Sequence, residues 1–359
     1  MSLHFHRLTV KEVKKETSDC VSVLFDVPAE LEAAFAFSQG QSLTMRTFLD
    51  GTEVRRTYSI CSSPLEKQLR VAIKKVDGGV FSGYANSQLK KGDVLEVMSP
   101  VGKFNTTLHP AHTKKYIAFA AGSGITPVLS LIKTTLAVEP GSEFTLVYGN
   151  KNRNSVIFFE ELEGLKNKYM DRFTLVHILS REKTDASINF GRIDRTKLEE
   201  LQPIIKMQEA DAFFICGPEE MIFTVRDYLE AKGIDKKKIH FELFSTAGAA
   251  KKTSSAITTE KASGPVSHIS VKLDGRSFDF TLPLSEDISL LDAALQQGAD
   301  LPYACKGGMC CTCKAKLLEG EVMMDVHWGL EEEEVEKGYI LTCQSHHKTE
   351  KVVVDFDAK

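Results

Sequence analysis

Four cysteines near the C-terminal end have a spacing that suits metal ions: Cys305, Cys310, Cys313 and Cys343. The first three follow the pattern C-x4-C-x2-C, and the fourth comes after 29 further residues. Four thiolates, two on each iron, are the ligands of a [2Fe–2S] cluster, and such clusters use this spacing. Gly307 and Gly308 suit a loop that folds round a cluster, because glycine tolerates positive φ and close approach. Backbone N–H groups of that loop would then stabilise negative charge on sulfur.

A zinc site and a set of disulfides are the alternative uses of these thiols. Structural zinc usually takes a second close pair of ligands, whereas Cys343 stands alone. Disulfides are uncommon without a secretory signal, and the first residues lack the apolar core of one. Cys311 lies inside the loop but outside the spacing, so we expect it not to be a ligand. Cys20 and Cys61 are expected to be small buried residues.

Length, composition and charge limit the classes of protein that fit this chain. The 359 residues suggest two or three domains. No apolar run reaches the roughly 18 residues of a membrane span, and reduced thiols favour the cytoplasm. The sequence lacks the basic stripe that would indicate nucleic-acid binding. The net charge of −4 is uneven, since residues 266–359 carry −8 and the remainder +4. The run Glu331–Glu334 contributes to this, either as a solvated helix face or as a docking surface.

Differences in patterning indicate three folded domains and a linker. Residues 1–110 contain six short strands, which predict an antiparallel β-barrel. Residues 111–245 alternate apolar strands with helical patterns, which predicts an α/β domain with a parallel sheet. Residues 246–265 are small and polar, and are expected to be a flexible linker that lets the last domain swing. Residues 266–359 contain a hairpin, one main helix and the cysteine loop, which predicts a compact α+β domain.

Two motifs in the predicted barrel suit a flat ring that carries phosphate. The first is Arg56, Thr57, Tyr58 and Ser59, and the second is Gly79, Val80, Phe81 and Ser82. In a strand, Arg56 and Tyr58 share one face, so that the Arg can bind phosphate while the Tyr lies against the ring. Ser59 offers a hydroxyl to a ring edge. The second motif opens a helix, whose N-terminal N–H groups suit a pyrophosphate. The alternatives are an exposed strand and an ordinary helix-entry turn.

Three strand ends in the predicted α/β domain suit a dinucleotide: Gly122, Gly124, Thr126 and Pro127 at the first, Ser180 and Arg181 at a later one, and Cys216, Gly217 and Pro218 at the last. The two glycines leave room for a pyrophosphate at a helix N-terminus, and Pro is favourable in a first helical turn. Ser180 and Arg181 could hold a 2′-phosphate and so select NADPH over NADH; the alternative is a surface Arg. Cys216 lies either beside a nicotinamide or in the core.

In this order the motifs resemble those of the ferredoxin–NADP⁺ reductase superfamily, and the C-terminal part resembles a plant-type ferredoxin of β-grasp fold. The sequences R-T-Y-S, G-V-F-S, G-S-G-I-T-P and C-G-P-E-E-M carry the first resemblance. It implies FAD bound by the two barrel motifs and NAD(P)H bound by the three strand ends. It also implies that Cys216, Gly217 and Pro218 lie near the nicotinamide and that Glu242 lies near the flavin. Ser59, Cys216 and Glu242 would then be the catalytic residues.

The domain order resembles reductase components of multicomponent oxygenases, nearly from end to end. The resemblance implies that electrons pass from NADPH to FAD, then to the [2Fe–2S] cluster and finally to a di-iron oxygenase on another chain. One alternative is a reductase for another mono- or dioxygenase that uses NADH. Another is a non-catalytic redox sensor or electron carrier, which nucleotide oxidation with an artificial acceptor would exclude.

Overall fold

The computed structural model describes residues 4–244 and 265–358. The first range forms one compact unit, and the second range belongs to another. The predicted linker, residues 246–265, lies outside the described residues apart from residue 265. Within the two described ranges, no helix is both long and apolar enough to cross a membrane.

An antiparallel sheet of six strands opens the first unit: β1 (Phe5–Thr17), β2 (Cys20–Asp26), β3 (Ser42–Leu49), β4 (Thr52–Ser59), β5 (Leu69–Lys74) and β6 (Val94–Met98). Their order is β4-β3-β6-β1-β2-β5, and an antiparallel bridge between Ile60 and Val71 connects the ends of the two outer strands. Helix α1 (Val80–Ser87) packs its buried Phe81 against this core. The prediction of a six-stranded antiparallel barrel is confirmed.

The rest of the first unit alternates strands and helices: β7 (Lys115–Ala121), α2 (Ile125–Val138), β8 (Glu143–Asn150), α3 (Phe159–Lys168), β9 (Phe173–Leu179), α4 (Arg195–Ile205), β10 (Ala212–Gly217), α5 (Glu219–Ala231) and β11 (Ile239–Leu243). All five strands are parallel, in the order β11-β10-β7-β8-β9. The predicted parallel sheet is confirmed. The sequence pattern does not predict helix α4, because Pro203 lies within it and few of its residues are apolar.

Helix α2 departs from the amphipathic helix that its sequence suggests. Eleven of its 14 residues are buried, because the helix lies between the parallel sheet and the barrel. On the barrel side, Ser130 Oγ donates to Ser62 O at 2.7 Å, and the hydroxyls of Ser63 and Thr134 share a hydrogen bond of 2.9 Å. Small hydroxyl side chains thus let the two parts of the unit approach closely while each of these buried hydroxyls keeps a partner.

The second unit consists of β12 (Val266–Leu273), β13 (Arg276–Pro283), α6 (Leu290–Gln296), β14 (Lys314–Glu319), β15 (Val322–Met324), α7 (Glu332–Glu336), β16 (Tyr339–Leu341), β17 (Ser345–His347) and β18 (Lys351–Asp355). Five of the strands form a mixed sheet in the order β13-β12-β18-β14-β16. The predicted hairpin turns at Asp274 and Gly275, whose φ values of 50° and 70° fit a two-residue turn. The Asp357 carboxylate accepts from both N–H groups at 2.9 Å.

Candidate functional site

The three residues expected to be catalytic come together from distant parts of the first unit. Ser59 ends β4 and is buried, and its Oγ donates to Glu242 Oε2 at 3.0 Å, across 183 residues of sequence. Glu242 lies in β11 opposite Cys216 in β10, because the two strands pair in parallel register. A barrel hydroxyl, a carboxylate and a thiol therefore share one location where the two sheets of the unit approach each other.

Cys216 is held as a neutral thiol. Its side chain has no exposed surface, and burial, followed by the nearby Glu242 carboxylate, raises the pKa of the thiol well above its usual value. A thiolate is the reactive form of cysteine, so this residue is not poised to act as a nucleophile. It is instead a compact buried side chain that packs beneath the end of β10.

The barrel motifs contact each other through aromatic rings. The Tyr58 ring lies 5.6 Å from the Phe81 ring, centroid to centroid, which places the end of β4 against the first turn of α1. Burial raises the pKa of Tyr58 above its usual value, so the phenol stays neutral. The half-buried, neutral Tyr58 ring fits the face of a flavin. The adjacent Ser59 hydroxyl, which is hydrogen-bonded to Glu242, fits its edge.

The remaining residues of the two barrel motifs are held in place by hydrogen bonds. Arg56 and Tyr58 share one face of β4, as predicted, and Arg56 Nη1 donates to Arg55 O at 2.7 Å. Thr57 faces the other way and its hydroxyl lies 3.3 Å from that of Thr44. Ser82 Oγ accepts from Val76 N at 3.1 Å and donates to Gly79 O at 3.3 Å. The Ser82 hydroxyl thus stabilises the entrance to α1, where Gly79 precedes the helix and Val80 begins it.

The loop after β7 is fixed by close packing and by hydrogen bonds. Gly122 has φ of +53°, and its carbonyl accepts from Tyr148 Oη at 2.9 Å. A Cβ on Gly124 would lie 2.0 Å from Cys216 O, so this glycine lets the loop pack against the end of β10. Thr126 and Pro127 are buried in the first turn of α2. Gly124 therefore has a packing role beside the predicted one at a pyrophosphate.

The other two strand ends lie at the same edge of the parallel sheet. Ser180 follows β9, and its N–H donates to Asn150 O at 2.9 Å. The N–H of the next residue, the exposed Arg181, donates to Lys151 O at 2.8 Å. Gly217 and Pro218 lead from β10 into α5, and Pro218 is exposed. Ligands of such sheets bind outside the carboxyl ends of the strands, where these three predicted groups lie.

A charged network that the sequence did not reveal joins the barrel to the α/β part of the first unit. Nη2 of Arg70, in β5, donates to both carboxylate oxygens of Glu161, in α3, at 2.8 and 2.7 Å. Lys133 of α2 also bonds Glu161, and its Nζ lies 2.5 Å from Glu66 Oε1. Only 10 % of the Lys133 side chain is exposed. A single Lys within the apolar sequence of α2 is the one signal that could have indicated a buried partner.

The predicted cluster ligands lie together as two pairs. Backbone N–H groups point at sulfur in the first pair, since Gly307 N lies 3.3 Å and Cys310 N 3.5 Å from Cys305 Sγ. The thiols of Cys313 and Cys343 interact as the second pair, and Thr342, next to Cys343, donates from its N–H and hydroxyl to Cys313 O at 3.1 and 3.0 Å.

The chemistry of these four thiols fits a [2Fe–2S] cluster. A hydrogen bond with Cys310 Sγ, helped by backbone N–H groups, lowers the pKa of the Cys305 thiol to about 5, although burial opposes this. The pKa of Cys310 is raised well above its usual value, first by the same hydrogen bond and then by burial. One pair for each iron is the arrangement that the cluster requires. None of the eight cysteines, all of which are described, forms a disulfide.

The backbone of the cluster loop differs in part from the sequence prediction. Gly308 adopts positive φ, at +73°, but Gly307 does not; Lys306 and Cys311 take the left-handed conformation instead, at +51° and +56°. The strain that these side chains accept is offset by contacts, since Cys311 Sγ donates to Gly329 O at 2.9 Å and Lys306 O accepts from Gln344 Nε2 at 2.8 Å.

Comparison with known families agrees with the three sites in chain order. Residues 7–106 match the oxidoreductase FAD-binding domain, residues 119–227 the oxidoreductase NAD-binding domain and residues 271–348 the 2Fe-2S iron-sulfur cluster binding domain. The chain therefore has FAD, a pyridine nucleotide and a [2Fe–2S] cluster as its redox groups.

Two relatives and one solved structure share this arrangement along almost their whole length. The chain is 46% identical to one of the subunits of the 1,2-phenylacetyl-CoA epoxidase of Escherichia coli (strain K12), over 99% of this chain and 98% of the relative. It is 34% identical to the ferredoxin reductase component of 3-ketosteroid-9-alpha-monooxygenase of Rhodococcus rhodochrous, over 97% and 96%. The solved structure of phthalate dioxygenase reductase has the same fold, with a TM-score of 0.57, 24% identity and 98% coverage of both chains. The chain thus belongs to the family of oxygenase reductase components, in which a ferredoxin–NADP⁺ reductase unit is joined to a plant-type [2Fe–2S] ferredoxin domain.

Proposed function

We propose that this chain is the NADPH-dependent reductase of a di-iron oxygenase, and that this oxygenase is an epoxidase of phenylacetyl-CoA in phenylacetate degradation. The proposed path of electrons is NADPH, FAD, the [2Fe–2S] cluster and then the oxygenase. The convergence of Ser59, Glu242 and Cys216 is the observation that carries the reductase activity. The 46% identity with a subunit of the Escherichia coli epoxidase supports the choice of partner.

The residues of the first unit would position the reacting groups. Bound FAD accepts two electrons together from a nicotinamide and releases them singly, as the cluster requires. Arg56, Tyr58, Ser59 and the entrance to α1 would hold the flavin, while the Gly122–Pro127 loop holds the nucleotide. Hydride transfer needs reacting atoms roughly 3–3.5 Å apart. The hydrogen bond of Ser59 to Glu242 and the compact thiol of Cys216 would maintain that approach from the two sides.

The preference for NADPH rests on Ser180 and Arg181. An Arg side chain binds a phosphate with charge-assisted hydrogen bonds, and Arg181 is exposed at the carboxyl edge of the sheet. We also propose the domain limits 1–110, 111–245 and 266–359, with a linker at 246–265, and a location in the cytoplasm, where thiols stay reduced.

Anaerobic titration of the purified chain with NADPH and, separately, with NADH tests the proposal. Bleaching of the flavin absorbance together with the EPR signal of a reduced [2Fe–2S] cluster, at much lower NADPH than NADH, is the expected result. An equal response to both nucleotides would contradict the role of Arg181, and flavin reduction without cluster reduction would contradict the relay. Adding the purified oxygenase subunits and phenylacetyl-CoA then tests the partner, because epoxide should form only with all components present.

A further inference from the structure

Asn150 ends the middle one of three adjacent strands whose carboxyl ends carry the proposed nucleotide contacts. Strand β8 pairs with β7 on one side and with β9 on the other, placing Ala121 opposite Gly149 and Asn150 opposite Leu179. The loop from Gly122 to Pro127, which is proposed to hold the pyrophosphate and is called the pyrophosphate loop below, directly follows β7. Ser180 directly follows β9. Because parallel strands end at one edge, Asn150 lies between these two groups of residues.

The Asn150 side chain is buried and its polar atoms are unpaired. Only 8 % of the residue is exposed, and neither the amide nitrogen nor the amide oxygen has a hydrogen-bond partner in residues 4–244 and 265–358. A buried donor or acceptor left unpaired costs free energy, so native proteins nearly always satisfy it with a neighbour, water or a ligand. An amide that is orphaned at the ligand-binding edge of such a sheet indicates that a ligand group completes it.

Backbone contacts and a nearby tyrosine connect Asn150 to both neighbours. Its backbone carbonyl accepts from the N–H of Ser180 at 2.9 Å and from the hydroxyl at 3.3 Å. Tyr148, two residues earlier and on the same face of β8, donates to Gly122 O at 2.9 Å. Burial raises the pKa of Tyr148, and the nearby Asn150 amide opposes this rise without reaching hydrogen-bond geometry, so both amide atoms stay unpaired. A continuous set of residues thus runs from the pyrophosphate loop to the proposed 2′-phosphate site.

The part of a pyridine nucleotide that spans this interval is the adenosine ribose. It is joined to the pyrophosphate at its 5′ carbon and carries the additional phosphate of NADPH at its 2′ oxygen. Its 3′-hydroxyl both donates and accepts a hydrogen bond, and an Asn amide offers one group of each kind. We propose that Asn150 binds the 3′-hydroxyl of the adenosine ribose, a contact that NADPH and NADH have in common. This inference rests on the proposed function, since it assigns a further contact within the same nucleotide site.

The test compares Asn150→Ala with Arg181→Ala in the full-length protein carrying FAD and the cluster. Binding of NADP⁺, NAD⁺ and adenosine 2′,5′-bisphosphate is measured by titration calorimetry, and flavin reduction by rapid mixing with NADPH. Loss of one neutral hydrogen bond should weaken the binding of all three compounds about 5- to 10-fold in Asn150→Ala. Arg181→Ala should weaken NADP⁺ and the bisphosphate but leave NAD⁺ unchanged. The limiting rate of flavin reduction at saturating NADPH should not change in Asn150→Ala, because the contact is remote from the nicotinamide.

Four outcomes decide the matter. Unchanged affinity for all three compounds in Asn150→Ala overturns the role of Asn150 while the wild-type titrations still support the proposed function. A loss confined to the limiting rate also overturns it. If Asn150→Ala fails to retain FAD, Asn150→Leu, which keeps a similar shape but offers neither donor nor acceptor, replaces it in the same comparison and must show the same selective loss. A wild-type protein that binds neither dinucleotide overturns the proposed function, and this inference with it.

Discussion

The predicted cluster loop and the proposed flavin–nicotinamide centre reach their geometry by opposite routes. Three of the four predicted cluster ligands lie within nine residues of sequence, and the loop supplies its own N–H groups and positive φ angles. At the other centre, Ser59 and Glu242 are 183 residues apart, and two sheets with a fixed register bring them together. The first site depends on local backbone conformation, whereas the second depends on the whole of the first unit.

Replacement of one cluster ligand should have the largest effect. In Cys313→Ser the loop can offer only three thiolates, so bound iron should fall from about two per chain to almost none. Iron analysis and the EPR spectrum of the dithionite-reduced protein measure this. Cys311→Ser, whose side chain is two residues away and bonds Gly329, is the matched control and should keep the cluster. Loss of iron in both variants would contradict the assignment of Cys311 as a non-ligand.

Removal of the Glu242 carboxylate should slow flavin reduction without affecting the cluster. Glu242→Ala removes the acceptor of the Ser59 hydroxyl, and misplacement of reacting groups by about 1 Å can cost about 10²-fold in rate. Rapid-mixing measurements with NADPH give the limiting rate. Glu199→Ala, on the exposed side of α4, is the control and should react as the wild type does. A normal rate in Glu242→Ala would show that this carboxylate does not support the reaction.

Interruption of the charged network should destabilise the first unit. Glu161→Gln leaves the buried parts of Arg70 and Lys133 without their shared carboxylate, which should lower the free energy of unfolding by about 3 kcal/mol. Urea unfolding followed by flavin fluorescence measures it. Glu199→Gln removes a surface partner of Arg195, with both side chains more than half exposed, and should cost less than about 0.5 kcal/mol. Equal losses of unfolding free energy in the two variants would show that the network contributes no more than a surface ion pair.

The same network predicts a dependence on pH. Burial raises the pKa of Glu161, but the Arg70 and Lys133 cations outweigh it and hold the pKa below its ordinary value of 4.5. A carboxyl with a lowered pKa in the folded state stabilises the protein fully above its unfolded pKa, and this contribution is lost as the pH falls through the folded pKa. The difference in stability between the wild type and Glu161→Gln should therefore shrink progressively below pH 4.5. A difference that stays constant there would contradict the prediction.

The smallest expected effects are the losses of stability caused by replacing either of two glycines in the second unit with alanine. Comparing the two distinguishes backbone strain from crowding. Gly275 and Gly308 both have positive φ, at +70° and +73°. A Cβ on Gly275 would have no neighbour within 4 Å, but one on Gly308 would lie 2.8 Å from Val326 Cγ2. Gly275→Ala should cost about 1 kcal/mol through strain alone, and Gly308→Ala should cost about 1 kcal/mol more through crowding. Thermal loss of the cluster absorbance compares the two, and equal losses would exclude a contribution from crowding.

The same contrast explains which features could be predicted from the sequence. The cysteine spacing, the barrel strands and the hairpin at Asp274 depend on nearby residues, and the structure has them as expected. Short strands such as β16 were missed because three residues carry too little periodicity. The pairing of Arg70 with Glu161, and the orphaned amide of Asn150, depend on which strands and helices become neighbours. Glu242 was identified only through a family resemblance, since nothing in its local sequence distinguishes it from a surface Glu.

The burial of the cysteines outside the cluster loop has a consequence for the chemical durability of the protein. Cys20, Cys61 and Cys216 are each at most 1 % exposed, and burial raises the pKa of Cys61 to about 12 and the pKa values of Cys20 and Cys216 well above the usual value. Alkylating agents and oxidants attack the thiolate, so these three side chains are resistant to both. The reactive thiols are therefore those of the ferredoxin domain, where bound iron would protect the four predicted ligands but not Cys311.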